Sequence, residues 1–311
     1  MSKAPLPAGA WPVMLTPFHA DRSIDWDGYR ALIDFYLDAG SAGLFASCLS
    51  SEVQHLTPDE IVELSRVAVE HTAGRVPVVA GAVIDDELEQ IALLARRVAD
   101  TGVEAVVLAA GTLAPADADE AEWRDAVSRL METTPGVPLG IYECPWPNHR
   151  ILSAETLGWL AGTGRLLFHK DTACDLQQIE AKLEATRGTP LRFYNAHLPT
   201  LTASIEAGGA GFSGTACNFI PALLVAFGAA GSAEIDPVAQ EFVERLRALI
   251  PVGYPLNAKH FLAARGVPIQ PVCRLEVEAD PRNLHLLEQL HADLPARFTT
   301  PAEALPPPVE A

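Results

Sequence analysis

Eight short runs of consecutive apolar residues punctuate the chain, separated by stretches whose apolar positions recur every three or four residues. The runs are Trp11–Thr16, Ala42–Cys48, Val76–Val83, Glu104–Ala110, Pro138–Cys144, Arg165–Asp171, Leu191–His197 and Ala210–Ala216. They show little polar/apolar alternation, which is the pattern of parallel strands buried on both faces. The intervening stretches carry helix start signals. Thr57-Pro58-Asp59-Glu60 supplies an N-cap, a proline at the first helical position and a capping-box glutamate. Asp175 with Gln178 gives a similar start after the sixth run, and Leu88, Ile91, Ala95 and Val98 trace one helical face.

Strand–helix alternation with short connections predicts a parallel α/β fold. Eight such units within about 230 residues predict a closed barrel, not an open doubly wound sheet. From about Ala233 the pattern is helical alone, at roughly Pro237–Ile250, Asn257–Arg265 and Pro281–Leu294. The expected organisation is a (β/α)8 TIM barrel over residues 1–232 that holds the active site, then a C-terminal helical extension over residues 233–311. The last stretch, Thr299–Ala311, is rich in Pro, Ala and Glu and predicts a frayed tail.

A hydrophobic fraction of 49% and a charged fraction of 20% in 311 residues describe a soluble globular chain with a core that needs no staples. No apolar run approaches the roughly 18 residues of a membrane span. The N-terminus lacks a basic region followed by an apolar one, so no signal peptide is expected. Five cysteines, Cys48, Cys144, Cys174, Cys217 and Cys273, form no CxxC pair and predict free thiols in a cytoplasmic protein. A net charge of −18 disfavours nucleic acid and anionic membranes as partners. A small anionic substrate would need a local pocket of donors. Neither GxGxxG nor GxxxxGK[ST] occurs, which weakens a nucleotide-binding reading.

Only four lysines are present: Lys3, Lys170, Lys182 and Lys259. Lys182 and Lys259 lie in helical stretches, where a solvated ammonium is the default. Lys170 ends the sixth apolar run, and barrel active sites gather at the C-terminal ends of strands. Burial there would lower its pKa, and a neutral amine can attack a ketone to give an iminium electron sink. The alternative is a lysine that snorkels to solvent or pairs with Asp171. Tyr142 ends the fifth run on the neighbouring strand, where a phenol can shuttle a proton or simply pack in the core. Ser47–Glu52, after the second run, offers consecutive backbone N–H groups and small hydroxyls suited to a carboxylate.

Together these features resemble the dihydrodipicolinate synthase / N-acetylneuraminate lyase family of class I aldolases, over roughly residues 8–275. Tyr142-Glu143-Cys144-Pro145 is similar to its strand-five Y-x-x-P motif, whose tyrosine is the proton shuttle. His169-Lys170-Asp171-Thr172 resembles its Schiff-base lysine motif. Ser47–Glu52 resembles its G-T-T-G-E carboxylate loop, and Gly208-Gly209-Ala210-Gly211 through Asn218 and Pro221 its glycine-rich eighth strand. The resemblance implies a 2-oxo acid substrate such as pyruvate, Lys170 and Tyr142 as catalytic residues, and Ser50, Ser51, His197 and Ser213 as substrate-binding residues. It implies no cofactor and a homotetramer built from dimers. No HxH or HxxE set at strand ends suggests a metal.

Departures from the pattern narrow the function. Leu49 replaces a relay threonine, and Cys48 and Ser51 replace the loop glycines. Gly111-Thr112-Leu113-Ala114 stands where the family's second relay tyrosine is found. Pro147 occupies the place of the arginine that holds the aldehyde carboxylate in dihydrodipicolinate synthases, with Arg150 nearby. These losses argue against authentic 4-hydroxy-tetrahydrodipicolinate synthesis and leave a Schiff-base aldolase, lyase or dehydratase as the main reading. The alternatives are such a synthase with a rearranged site and, motivated by the eroded relay, a non-catalytic barrel that binds 2-oxo acids or a protein partner. By strand alternation His169 should face the helices. Glu52 is expected to fix its loop. Cys48, Cys144 and Cys217 are assigned no role.

Overall fold

The computed structural model describes residues 5–229 and 237–293. Eight parallel strands form one sheet: β1 (Gly9–Ala10), β2 (Leu44–Ala46), β3 (Val78–Gly81), β4 (Ala105–Ala109), β5 (Leu139–Tyr142), β6 (Leu166–Asp171), β7 (Arg192–Asn195) and β8 (Gly211–Phe212). From β2 to β8 each strand neighbours the next in sequence, and β1 pairs with β8. The remaining seam is closed between β1 and β2. There Ala42 N–H donates to Ala10 O at 2.9 Å, Phe45 N–H to Pro12 O at 2.9 Å, and Val13 bridges Phe45. The expected eight-stranded barrel is therefore present.

Several strands are shorter than their apolar runs because the run continues into a turn at the barrel mouth. Leu49–Ser51, Ala110–Thr112, Leu198–Thr200 and Thr215–Asn218 are 3-10 turns directly after β2, β4, β7 and β8. The first strand also begins earlier than Trp11. Gly9 and Gly211 pair at its start, and a Cβ on Gly211, whose φ is +140°, would sit 2.1 Å from the Gly9 carbonyl oxygen. Only glycine permits that approach.

Eight helices surround the barrel: α1 (Trp26–Asp38), α2 (Pro58–Thr72), α3 (Leu88–Ala99), α4 (Glu120–Thr133), α5 (Ala154–Gly162), α6 (Leu176–Ala185), α7 (Leu201–Glu206) and α8 (Pro221–Ala229). Thr57 caps α2 in a full capping box with Glu60, and Asp175 caps α6 through the Gln178 N–H, as the sequence indicates. α3 buries Ile91, Ala92, Leu94, Ala95 and Val98 on its inner stripe. The extension comprises α9 (Pro237–Leu249), α10 (Leu256–Ala264) and α11 (Pro281–Ala292). The expected boundary at residues 232 and 233 and the tail Thr299–Ala311 lie outside the described residues. Among the described residues no helix is long and apolar enough to cross a membrane.

Aromatic rings fill the barrel interior. Phe168 stacks on Tyr194 at 4.8 Å between centroids, and it meets Trp11 at 5.4 Å and Phe45 at 5.5 Å. Phe168 lies two residues before Lys170, on the same face of β6. This packed floor closes the barrel beneath Lys170 and leaves the C-terminal mouth as the place for a site.

Candidate active site

Tyr142 and Lys170 are directly paired residues at the ends of β5 and β6. Both side chains point into the barrel, and both residues are only 4% exposed. The Lys170 Nζ sits over the Tyr142 ring, 4.0 Å from its centroid, and 5.9 Å from that of Phe45. Burial lowers the Lys170 pKa from its ordinary value; the thiols of Cys48, Cys144 and Cys217 act weakly in the opposite direction. Two aromatic faces would favour an ammonium, but desolvation prevails. Burial likewise pushes the Tyr142 phenol well above its ordinary pKa, with Cys144, Cys48 and Tyr254 adding to the effect. The lysine therefore neither snorkels nor pairs with Asp171, and its protein surroundings favour the free amine. The phenol keeps its proton.

The residues flanking these two point outward, as strand alternation requires. Glu143 and Asp171 are fully buried between the sheet and the helices, and each accepts a 2.6 Å hydrogen bond from the Lys182 ammonium of α6. Glu143 also accepts from the N–H groups of Leu152 and Thr172, both at 3.0 Å. His169 faces the same cluster, 3.7 Å from each carboxylate, with its ring against Phe193. The expectation of a solvated Lys182 is overturned: two buried carboxylates draw it inward. Glu143, His169 and Asp171 form a grouping with metal-ligand proximity that the sequence did not reveal. Lys182 supplies the positive charge between its two acids.

The turn after β2 is held from several sides. Ser47 (φ 52°) and Glu52 (φ 59°) take left-handed backbone conformations on either side of Cys48–Ser51. Such strain in non-glycine residues persists only where surrounding contacts impose it. The Ser51 hydroxyl donates to the Met14 carbonyl at 2.6 Å and accepts from Cys48 N–H at 3.0 Å, while Ser51 N–H donates to Cys48 O. Its hydrogen is therefore spent on the turn. Glu52 accepts from the Lys259 ammonium at 2.6 Å and from the N–H groups of Arg274 and Leu275 at 2.6 and 2.8 Å. Lys259 on α10 is fully buried, also against expectation, because Glu52 and the Val272 carbonyl capture its head. Glu52 is thus an anchor for the turn.

Ser50 is buried on this turn, beside Tyr254 from the segment leading into α10. Burial pushes the Tyr254 phenol far above its ordinary pKa, opposed by the neighbouring Ser50 and Asn218 side chains. Asn218, in the turn after β8, donates to its oxygen at 2.7 Å. Tyr254 goes unassigned in the sequence, since no strand or motif marks its position. Ser213 is fully buried just past β8, and its hydroxyl has no hydrogen-bond partner. Its backbone N–H is tied to Asn195 O at 2.8 Å. His197 follows β7 half-buried, its Nδ1 3.2 Å from the Thr200 hydroxyl, and burial lowers its pKa.

The sequence profile of the dihydrodipicolinate synthetase family matches residues 6–292. The chain belongs to this family. That is the family to which its lysine and tyrosine motifs pointed. The chain is 32% identical over 273 residues to a probable 5-dehydro-4-deoxyglucarate dehydratase of Streptomyces avermitilis, covering 83% of this chain and 78% of the relative. It is 30% identical over 216 residues to a 4-hydroxy-tetrahydrodipicolinate synthase of Acidobacterium capsulatum, covering 69% and 70%. Among solved structures, a dihydrodipicolinate synthase of Bacillus anthracis superposes with a TM-score of 0.84 at 20% identity, over 94% of this chain and all of that one. The Escherichia coli K12 protein YagE, solved in complex with pyruvate, superposes with a TM-score of 0.79 at 20% identity, over 92% and 98%. These two likenesses speak to the fold.

The rim of the barrel mouth in this member of the dihydrodipicolinate synthetase family is closed by contacts between the loops after β4 and β5. A Cβ on Gly111 would stand 2.1 Å from the Asn148 carbonyl oxygen, so glycine there lets the loop after β5 lie against the loop after β4. Asn148 Nδ2 locks the contact by donating to Gly111 O at 2.6 Å. Arg150 does not stand free to receive a carboxylate. Its guanidinium donates to the Pro115 and Ala118 carbonyls at 3.0 and 2.9 Å.

Proposed function

We propose that this protein is a lyase or dehydratase that forms an imine between Lys170 and a 2-oxo acid, pyruvate or a longer relative. The observation that carries the proposal is a buried Lys170 amine, paired in register with Tyr142 at the mouth of a closed barrel and facing thiols instead of carboxylates. A neutral Nζ attacks the substrate C2. The resulting carbinolamine loses its oxygen as water when a proton is delivered to it, and the iminium then draws electrons from the adjacent C–C or C–H bond. The Tyr142 hydroxyl, on the ring over which the amine sits, carries those protons. The Ser50 hydroxyl holds the substrate carboxylate on a turn shaped by Ser51. The free hydroxyl of Ser213 and the ring of His197 stand ready for the distal part of the substrate.

The names of the relatives support lyase chemistry and divide between a dehydratase and synthases. Pro147 and the engaged guanidinium of Arg150 leave the second carboxylate of a synthase substrate without its receptor. This favours the dehydratase side. Cytoplasmic residence and a homotetramer of paired dimers complete the proposal. They rest on the family resemblance, and one structural neighbour is a monomeric dihydrodipicolinate synthase variant.

Borohydride reduction in the presence of pyruvate, followed by peptide mass spectrometry, tests the reading. A stable adduct is expected on Lys170, and none in Lys170→Ala. No adduct from a panel of 2-oxo acids would leave a binding protein as the alternative. Release of water from 5-dehydro-4-deoxyglucarate, set beside condensation of pyruvate with aspartate semialdehyde, separates dehydratase from synthase. Robust condensation would overturn the argument from Pro147.

A further inference from the structure

The loop after β5 commits two polar side chains to the loop after β4 and keeps a third in reserve. Asn148 donates to the Gly111 carbonyl at 2.6 Å, and the Arg150 guanidinium is taken up by the Pro115 and Ala118 carbonyls. His149, between them, turns toward β6. It is exposed, and its Nε2 lies 2.8 Å from the Thr172 hydroxyl, just past the end of that strand. Thr172 in turn holds the end of β5. Its hydroxyl donates to the Glu143 carbonyl at 2.6 Å, and its N–H donates to the Glu143 carboxylate at 3.0 Å. The imidazole therefore stands at the rim, beyond the paired strand ends that carry Tyr142 and Lys170.

These contacts fix which ring nitrogen bears a hydrogen. A carbonyl can only accept, so the single Thr172 hydroxyl hydrogen goes to Glu143, and Thr172 can only accept from His149. Nε2 is the donor. In a neutral imidazole the other nitrogen, Nδ1, then carries a lone pair. Among the described residues Nδ1 has no hydrogen-bond partner. The floor of the barrel sets the direction in which a substrate can grow. Phe168, stacked on Tyr194, fills the interior beneath Lys170, so a carbon chain longer than pyruvate extends toward the mouth. Thr172 lies two residues, roughly 7 Å, farther in that direction.

We propose that His149 is a specificity-determining residue, whose Nδ1 accepts a hydrogen bond from a hydroxyl on the distal carbons of the 2-oxo acid and disfavours a carboxylate there. The proposal rests on the imine-forming reading above. A lone pair attracts a hydroxyl hydrogen and repels an anion. The Arg150 guanidinium, which could offset that repulsion, is turned to backbone carbonyls.

Three acids that share the 2-oxo head and differ at C5 provide the test: 2-oxopentanoate, 5-hydroxy-2-oxopentanoate and 2-oxoglutarate. Each is titrated against borohydride trapping at Lys170, at about pH 8.5, above the range in which imidazoles ordinarily protonate. Concentrations are counted as open-chain ketone by NMR. Wild type is expected to half-saturate with the hydroxy acid at about 3- to 10-fold lower concentration than with 2-oxopentanoate, as for one net hydrogen bond. It should take 2-oxoglutarate least well. The ratio between hydroxy acid and 2-oxopentanoate should fall to about one in His149→Leu. Thr172→Val, which removes the acceptor that holds Nε2, should lessen it. Thermal unfolding checks that both variants fold. A ratio near one in wild type, a ratio kept in either variant, or a preference for 2-oxoglutarate overturns the proposal while leaving the imine intact. Absence of any wild-type adduct removes the imine reading and the proposal with it.

Discussion

Lys170 carries a conflict between stability and reactivity. Burial favours its neutral form, so at neutral pH folding either expels a proton or confines an ammonium in a dry site. The unfolded chain then binds more protons than the folded one between the two pKa values, so stability contributed at this position rises with pH there. Lys170→Met should melt at a higher temperature than wild type near neutral pH, with the gap closing in alkali; a lower melting temperature throughout would contradict the sign. The free amine is also the reactive form, so the rate of imine trapping should climb with pH and reach half its plateau below the 10.5 of an ordinary lysine. Tyr142→Phe should still form the adduct but lose about 10²- to 10⁴-fold in turnover, the range for a positioned proton carrier. Lys170 and Tyr142 were legible in the sequence because each ends an apolar run. Tyr254 was not, because its partner Asn218 lies in a turn 36 positions away in sequence.

At the scale of elements, β5 and β6 are locked together from behind by the Glu143–Lys182–Asp171 bridge. Each catalytic candidate is followed directly by one of the bridged acids, so the bridge sets the spacing of Tyr142 and Lys170. Lys182→Met should destabilise the fold by about 3–5 kcal/mol, since two buried carboxylates lose their counter-charge. Chemical denaturation measures this. Burial pushes the Asp171 carboxyl up, but His169, 3.7 Å away, and the Lys182 ammonium outweigh it and hold the pKa well below the ordinary value. A depressed folded pKa contributes stability above the unfolded value of 3.8 and loses it as pH falls toward the folded one. Wild type should therefore weaken steeply below about pH 4, and Lys182→Met should show a shallower acid loss. Periodicity located α6 and its Asp175 cap but could not locate Lys182, whose acids lie 39 and 11 positions away in sequence. The first strand was misplaced for a related reason. Its opening ladder depends on a contact between two glycines, and hydrophobic patterning does not register glycine.

Across the whole molecule, the extension is fastened to the barrel mouth. Glu52 holds Lys259 and the Arg274 backbone, and the Arg274 guanidinium grips Glu60 of α2 with contacts of 2.8 and 2.7 Å. The same turn carries Ser50, so fastening and substrate binding share a piece of backbone. Glu52→Gln should cost about 3–5 kcal/mol by stranding the buried Lys259 charge. It should also weaken pyruvate trapping, whereas undiminished trapping would show that the turn keeps its shape without the anchor. The composition and the eight-fold alternation foretold the architecture, while the seam between barrel and extension stayed hidden in four side chains far apart in sequence. Lys170, Tyr142 and Ser50 come from the strand ends and turns of one barrel. A solitary subunit therefore carries the full set of groups ascribed to the reaction, and output should scale with the number of chains, whatever their assembly. Serial dilution through any dissociation threshold should leave turnover per chain unchanged.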